Sequence, residues 1–227
     1  MKRPLISGGR IWSNHERRVL RVFERALELL GTEDDLDVCE DSLNRRLCFC
    51  VLRANEELLR LGMGFDWPPQ FDGQSQPDAN DIERAAREHK RPDFQWGFVD
   101  STEPDPVRQA KHYVIECKRL GKPIRTCWVF NKNYVERGIL RFVSAEHGYG
   151  KSASSGAMVG YIRSMPSEDI LKEVNSHAIR VSLQRIMLSS DGWVDRGVSR
   201  LEQKLDRSEI RPTPFSLRHL WVDLRKN

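Results

Sequence analysis

The sequence predicts an α/β protein in which a mixed β-sheet is flanked by helices. Two segments near the N-terminus place apolar residues at helical spacing, and segments 94–99, 113–115, 157–162 and 215–223 are short and strand-like. Further helical segments stand between the later strands. Helices interspersed with apolar strands are typical of a layered α/β domain.

The composition indicates a folded protein with a mildly basic surface. The 227 residues carry 37 basic and 33 acidic side chains, a net charge of +4, and 39% of the chain is apolar. This balance permits a polyanionic partner without requiring one. The five cysteines form no CxxC pair, the N-terminus lacks the apolar stretch of a secretory signal, and no apolar run reaches the about 18 residues of a membrane span. We therefore expect a cytoplasmic protein that does not enter membranes.

A capping box and an apolar stripe predict the first helix. Ser13 and Glu16 have the spacing of a capping box, and Gly31 is a stop signal. The apolar residues between them recur at helical spacing: Val19, Leu20, Phe23, Ala26, Leu27 and Leu30. We assign residues 1–35 to an N-terminal helical segment and 36–227 to the main domain, together forming one compact unit.

The second predicted helix carries an acid on its apolar face. The acidic residues between Glu33 and Asp37 are expected to open it, because carboxylates in a first turn oppose the positive end of the helix dipole. Its apolar stripe runs from Leu43 to Leu61. At about 100° per residue, Glu40 falls within this stripe. Glu40 either serves the helix end or reaches a metal in a core-facing cleft, and periodicity leaves both interpretations open.

Two predicted strands bring acidic and basic side chains into one region. Asp93 precedes the strand-like segment 94–99, and Glu116 ends the apolar run 113–115. Because side chains alternate along a strand, Glu116 and Lys118 point to one face, roughly 6–7 Å apart, and Cys117 points away. Buried Asp, Glu and Lys are rare unless they are paired or bind a metal. The structural alternative is an ion pair between Glu116 and Lys118, with Asp93 as a turn residue.

Similar patterns elsewhere in the chain lack the strand context. Asp78 could be combined with Glu88 and Lys90, but segment 81–90 is a charged helical piece whose side chains would project into water. Asp105 could replace Asp93, but it lies in a proline-rich loop with no strand directly after it. The context therefore favours Asp93.

Pro92-Asp93 and Glu116-Cys117-Lys118 resemble the motif of the PD-(D/E)xK nuclease superfamily. As an arrangement of elements the resemblance spans roughly Glu40 to Ile162. It implies a restriction-endonuclease-like mixed sheet with extra N-terminal and C-terminal helices, and a nuclease-like domain over 36–227. The residues around Glu116 and segment 217–220 are similar to standalone members associated with bacterial restriction and phage defence.

This resemblance implies a Mg²⁺- or Mn²⁺-dependent endonuclease that hydrolyses phosphodiester bonds of DNA. Asp93 and Glu116 would bind the metal with the Cys117 carbonyl and with Glu40, since hard oxygen ligands suit these ions. The metal would polarise the phosphate and lower the pKa of a bound water, and Lys118 would orient that water or stabilise developing charge. The alternative function is a nucleic-acid-binding or complex-forming module with the same fold, inactive alone or dependent on a partner protein.

The C-terminal half adds candidate nucleic-acid contacts. The spacing predicts a helix over 134–146, where Tyr134, Arg137 and Arg141 form an edge that either contacts phosphate or faces solvent. Lys122 and Lys151 would extend a basic rim. DNA is the expected partner and RNA remains an alternative. A homodimer or a partner protein would supply the second site that double-strand cutting requires.

The remaining predicted elements complete the C-terminal third. A helix is expected over 167–186, and apolar residues at 198, 201 and 205 suggest another helix before the last strand. On that last strand, His219 is expected to be a core or surface histidine with no catalytic role.

Overall fold

The chain folds into a mixed β-sheet with helices on both faces. The computed structural model describes residues 8–37, 39–71, 91–123, 129–151 and 153–225. Seven strands form one sheet within these ranges: β1 (Gln70–Phe71), β2 (Phe94–Val99), β3 (Ala110–Leu120), β4 (Ser155–Ile162), β5 (Met187–Leu188), β6 (Val198–Leu205) and β7 (Phe215–Asp223). The helices are α1 (Gly8–Gly31), α2 (Glu40–Arg60), α3 (Pro106–Gln109), α4 (Phe130–Glu136) and α5 (Ser167–Arg180), with a 3-10 turn at Ile139–Phe142. The predicted α/β class with a helix-flanked mixed sheet is confirmed.

The strand order places β4 at the centre. The order is β1-β2-β3-β4-β7-β6-β5, with β4 parallel to both β3 and β7 and the other neighbours antiparallel. Every residue of β4 is buried, as expected for a strand covered on both faces. One face packs on α1 and α2 and the other on α4 and α5, so alternate residues of β3, such as Cys117 and Leu120, enter different cores.

The first two helices are confirmed, but both begin at positions other than those predicted. Helix α1 starts at Gly8, so Ser13 and Glu16 lie inside it and do not form a capping box at its start. Trp12 is buried and donates a hydrogen bond from Nε1 to Ser155 Oγ at 2.8 Å, which docks this extra turn on the sheet. Helix α2 starts at Glu40, so the acidic run precedes the helix.

Two predicted helices in the C-terminal half are wrong in form. The helix predicted over 134–146 is divided into α4 and the 3-10 turn, since Gly138 between them has φ −118° and ψ −80°. Segment 198–205 is strand β6, where burial alternates from Ser199 to Leu205. The inward positions of this strand are 199, 201, 203 and 205, and two of them hold the polar residues Ser199 and Gln203. The apolar residues at 198, 201 and 205 are therefore left at a spacing that resembles a helix.

Two further expectations concern the surroundings of the sheet. Helix α5 begins at Ser167 as predicted but ends at Arg180, short of residue 186, and none of the described residues after it form a helix. The charged helical piece predicted over 81–90 lies outside the described residues, as do Asp78, Glu88 and Lys90. Among the helices of the described ranges, none has both the length and the apolar composition needed to cross a bilayer.

A fork between two strands creates the opening in which polar groups collect. Strand β2 begins at Phe94, opposite Ile115 of β3, whereas β3 continues to Leu120. Residues 116–120 of β3 therefore extend beyond β2, and Asp93 stands directly before β2 at the branch point. Side chains from both faces of the sheet can meet at this fork.

A buried arginine ties three loops together near the fork. Arg207 is 1% exposed and donates to the backbone carbonyls of Phe142, Tyr149, Gly150 and Pro212. Its guanidinium stacks over the Phe215 ring at 4.1 Å. Burial lowers the pKa of Arg207 to about 10, and no carboxylate in the described ranges forms a salt bridge with it. Backbone carbonyls thus take the place of a counterion.

Replacing Arg207 with Met is predicted to lower the free energy of unfolding by about 3 kcal/mol, because buried carbonyls lose their donor. Urea denaturation measures the change. The matched control is Arg60→Met, at a side chain 75% exposed, which should stay within about 0.5 kcal/mol of wild type. Equal losses in both variants would contradict the role assigned to Arg207.

Candidate active site

The fork brings Asp93, Glu116 and Lys118 together. Lys118 Nζ lies 2.8 Å from Glu116 Oε1 and 3.9 Å from Asp93 Oδ2. Glu116 and Lys118 share a face of β3 because they are two residues apart. Asp93 directly precedes Phe94, which pairs with Ile115, so Asp93 lies beside this part of β3. Glu116 and Lys118, which strand periodicity pairs, and Asp93, which its position before a strand selects, therefore form one cluster.

Glu40 reaches this cluster from the first turn of α2. Its Oε1 accepts a hydrogen bond from Lys118 Nζ at 2.8 Å, and its Oε2 accepts one from the Arg119 backbone N–H at 3.2 Å. Lys118 also donates to the Cys117 carbonyl at 2.7 Å. Glu40 thus points into the fork, and its described contacts hold Lys118 in place.

Asp93 is oriented by donors on both of its oxygens. Asn44 Nδ2 donates to Oδ1 at 3.0 Å, and the Cys117 backbone N–H donates to Oδ2 at 2.7 Å. Asn44 is itself fixed, because the Tyr161 hydroxyl donates to its Oδ1 at 2.8 Å. This series of hydrogen bonds, from Tyr161 on β4 through Asn44 on α2 to Asp93, orients the Asp93 carboxylate.

The sequence interpretation missed Asn44 and Tyr161. Asn44 lies four residues after Glu40 on the same face of α2, so the periodicity that identified Glu40 could also have identified it. Tyr161 lies in a strand that is buried throughout, and nothing in its local pattern distinguishes it from a core aromatic residue.

Glu116 is the most enclosed member of the cluster. Its side chain is fully buried, and its Oε1 accepts from Lys118 and from Arg141, whose NH1 lies 2.5 Å away. Its Oε2 is buried and has no hydrogen-bond partner among the described residues. An unsatisfied carboxylate oxygen in the interior is costly, so this atom marks a position where a ligand is expected.

The electrostatics of the cluster follow from this crowding. Burial raises the pKa of Glu116 despite Lys118 and Arg141, and burial together with the Glu116 charge raises the pKa of Asp93 to about 8. Burial alone would lower the pKa of Lys118, but Glu116, Asp93 and Glu40 outweigh it and raise that pKa. Negative charge concentrated in a poorly solvated space favours an added cation.

The donor set fits a hard divalent cation. Mg²⁺ and Mn²⁺ bind through one or two carboxylates and retain several waters, and Asp93 with Glu116 supplies two carboxylates at one site. The Cys117 carbonyl adjoins them, although it accepts from Lys118. Within the described ranges no three His, Cys, Asp or Glu side chains are grouped closely enough to hold a metal ion, and this applies to Glu40, Asp93 and Glu116 as well. The buried Oε2 of Glu116, which has no partner among the described residues, is the observation that a bound cation would explain.

The predicted nucleic-acid contacts occupy different environments. Arg137, Lys122 and Lys151 are exposed, as a basic rim requires. Arg141 is partly buried and turned inward to Glu116. Arg137 lies between α4 and the 3-10 turn, and Arg141 lies within that turn. Lys122 follows β3 and Lys151 precedes β4, at opposite ends of these two parallel strands.

Tyr134 requires a correction. It is fully buried, its hydroxyl accepts from Trp221 Nε1 at 2.9 Å, and it lies 2.8 Å from His219 Nδ1. The structure therefore places Tyr134 in the core, away from any surface that a phosphate could reach. His219 is a core histidine, as expected.

Comparisons of the chain with models of known protein families, with curated proteins and with solved structures return no match.

The buried His219 predicts a pH-dependent stability. Burial lowers its pKa from 6.5 to about 3, so below pH 6.5 the unfolded chain binds more protons at this residue than the folded chain does. Its contribution to stability is thus lost as the pH falls, by about 1.4 kcal/mol per pH unit.

Urea unfolding between about pH 7.5 and about pH 5 tests this dependence. His219→Gln retains an acceptor for the Tyr134 hydroxyl but cannot be protonated, so its stability should fall less steeply than that of the wild type. Identical slopes for the two proteins would show that His219 does not contribute.

Proposed function

We propose that the chain is a metal-dependent endonuclease of the restriction-endonuclease-like type, which hydrolyses phosphodiester bonds of DNA in a restriction or phage-defence role. The observation that carries this proposal is the buried Glu116 carboxylate, with one oxygen held by cations and the other without a partner among the described residues, beside an oriented Asp93. This arrangement matches the Asp, Glu and Lys of the motif that the sequence resembles. A bound Mg²⁺ or Mn²⁺ would act there as a Lewis acid and lower the pKa of its water.

The side chains of the fork have distinct tasks in such a reaction. Asp93 and Glu116 would hold the cation, and the fixed donors on Asp93 keep its carboxylate in one orientation before the cation arrives. Lys118 remains protonated because its pKa is raised, so it presents a positive charge to a phosphate oxygen and does not act as a base. Glu40 anchors the Lys118 ammonium and thereby limits its position.

One observation favours the alternative module. Lys118 and Arg141 both contact Glu116, so the protein neutralises part of the cluster by itself. A chain that binds nucleic acid or a partner protein without cleaving it could retain this fold with such ion pairs. The two functions separate by experiment, because only the enzyme cleaves a nucleic acid when a metal is supplied.

The cleavage test uses duplex DNA, single-stranded DNA and RNA with Mg²⁺ or Mn²⁺, followed by gel electrophoresis. Wild type should cleave DNA, and Asp93→Ala, Glu116→Gln and Lys118→Ala should each lower the rate by about 100-fold or more. Asp66→Ala, at an exposed carboxylate, is the matched control and should retain the wild-type rate.

Cleavage that persists in both Asp93→Ala and Lys118→Ala would exclude the assigned site. Binding of DNA by the wild type without cleavage under any metal would support the module.

The support of Asp93 by Asn44 gives a graded prediction. Asn44→Ala removes the donor to Asp93 Oδ1 and should weaken Mn²⁺ binding by about 10- to 100-fold. Tyr161→Phe leaves Asn44 in place but removes the bond that fixes it, so a smaller loss in the same direction is expected. Calorimetric Mn²⁺ titration measures both, with thermal unfolding as a check on folding. An unchanged affinity in Asn44→Ala would refute this role.

A further inference from the structure

Two cations contact the same oxygen of Glu116, but they are held very differently. Lys118 is fixed by Glu40, by the Cys117 carbonyl and by Glu116, and its side chain is 10% exposed. Arg141 lies on the 3-10 turn outside the sheet, contacts the same Oε1, interacts also with the Tyr149 side chain, and is 30% exposed. Arg141 is therefore the cation that can leave.

The charges of the fork suit a divalent cation better without Arg141. Carboxylates that bind a metal must be deprotonated, so in the metal-binding state Glu40, Asp93 and Glu116 are ionised, Lys118 is protonated, and the formal charge is two negative units, which one divalent cation neutralises. Arg141 reduces this to one negative unit and places a guanidinium beside the carboxylate that a metal would use. Its presence opposes metal binding through repulsion in a poorly solvated space.

We propose that Arg141 is an exchangeable counterion that couples substrate binding to metal binding. In the free protein it neutralises Glu116 and keeps metal affinity low. When a phosphodiester of the nucleic acid enters the fork, the guanidinium moves from Glu116 to a phosphate oxygen, and Glu116 becomes available to the metal. The inference rests on the proposed function, since it names how that same site is regulated by its substrate.

The chemistry of arginine and the local backbone support this exchange. A guanidinium binds carboxylate and phosphate with the same planar set of donors, so the partner can change without loss of hydrogen bonds. The backbone beside Arg141 is anchored, because the Phe142 carbonyl accepts from the buried Arg207 at 3.3 Å. The change therefore requires rotation of one partly exposed side chain away from Glu116 and Tyr149, and no movement of the turn.

Thermodynamic linkage makes the proposal measurable. If a phosphate draws Arg141 away from Glu116 and so raises metal affinity, the metal must raise the affinity for nucleic acid by the same factor. Removal of Arg141 should raise metal affinity in the free protein. It should also abolish the share of the mutual increase in metal and nucleic-acid affinity that depends on Arg141.

The first experiment titrates Ca²⁺, a divalent cation that prefers oxygen ligands, into the whole 227-residue chain without nucleic acid by calorimetry. Arg141→Gln should bind Ca²⁺ about tenfold more tightly than wild type. Arg60→Gln removes the same charge at an exposed position on α2 and should match wild type. Arg141→Lys retains a positive charge and should bind more weakly than Arg141→Gln, which separates competition by charge from a packing change. Thermal unfolding confirms that each variant is folded.

The second experiment measures binding of a fluorescently labelled DNA duplex by anisotropy, with Ca²⁺ and with EDTA. The gain in DNA affinity from Ca²⁺ should be larger in wild type than in Arg141→Gln.

Three outcomes would overturn the proposal: equal Ca²⁺ affinities in wild type and Arg141→Gln, equal affinities in Arg141→Gln and Arg141→Lys, or no Ca²⁺ binding in any variant. Failure of the proposed function has a different signature. If the expected Ca²⁺ and DNA affinities are found but no metal supports cleavage, the chain is not a nuclease and Arg141 still couples the two ligands.

Discussion

The structure depends on one costly feature, the fully buried carboxylate of Glu116. An ionised carboxylate in the interior is tolerated only with nearby cations and hydrogen-bond donors. Lys118 and Arg141 both meet this need at Oε1, and each requires its own support. Glu40 at the start of α2 holds Lys118, and the 3-10 turn carries Arg141. The start of α2 and the 3-10 turn are thus both positioned by contacts that lead to the Glu116 carboxylate on β3.

The fork makes this linkage possible. Because β3 extends beyond the start of β2, groups from the α2 face and from the α4 face reach the same space without crossing the sheet. Asn44 and Tyr161 approach Asp93 from one side, and Arg141 approaches Glu116 from the other. Arg207 then fixes the loops behind Arg141 with backbone hydrogen bonds. A regular sheet edge would separate these groups on opposite faces.

The parts of the site that sequence predicts are those set by local periodicity. The two-residue period of a strand places Glu116 with Lys118, and the helical period turns Glu40 inward. Partners that depend on distant chain segments are not predictable in this way. Tyr134 has the spacing of a helix edge, yet a histidine 85 residues away holds its hydroxyl in the core. Arg141 has the same spacing, and its partner Glu116 is on a strand 25 residues earlier.

The β6 strand shows the same limit in the fold. Apolar residues at spacings of three and four fit a helix, but the burial of polar Ser199 and Gln203 converts the segment to an alternating strand. Binary patterning assigns polar residues to the surface, so it fails where the protein buries them. The sheet pairing with β7, which is non-local, decides the structure of this segment.

The open oxygen of Glu116 bears on the choice between a structural and a ligand-binding cluster. A cluster that served stability alone would be expected to satisfy both oxygens, because an apolar replacement for a buried ion pair is often no less stable. Here two cations contact Oε1 while Oε2 has no partner in the described ranges. Asp93, in contrast, has a donor on each oxygen and a fixed orientation. Asp93 is thus held by a donor on each oxygen, whereas one buried oxygen of Glu116 lacks a partner in the described ranges, which supports the proposal that the cluster binds a ligand.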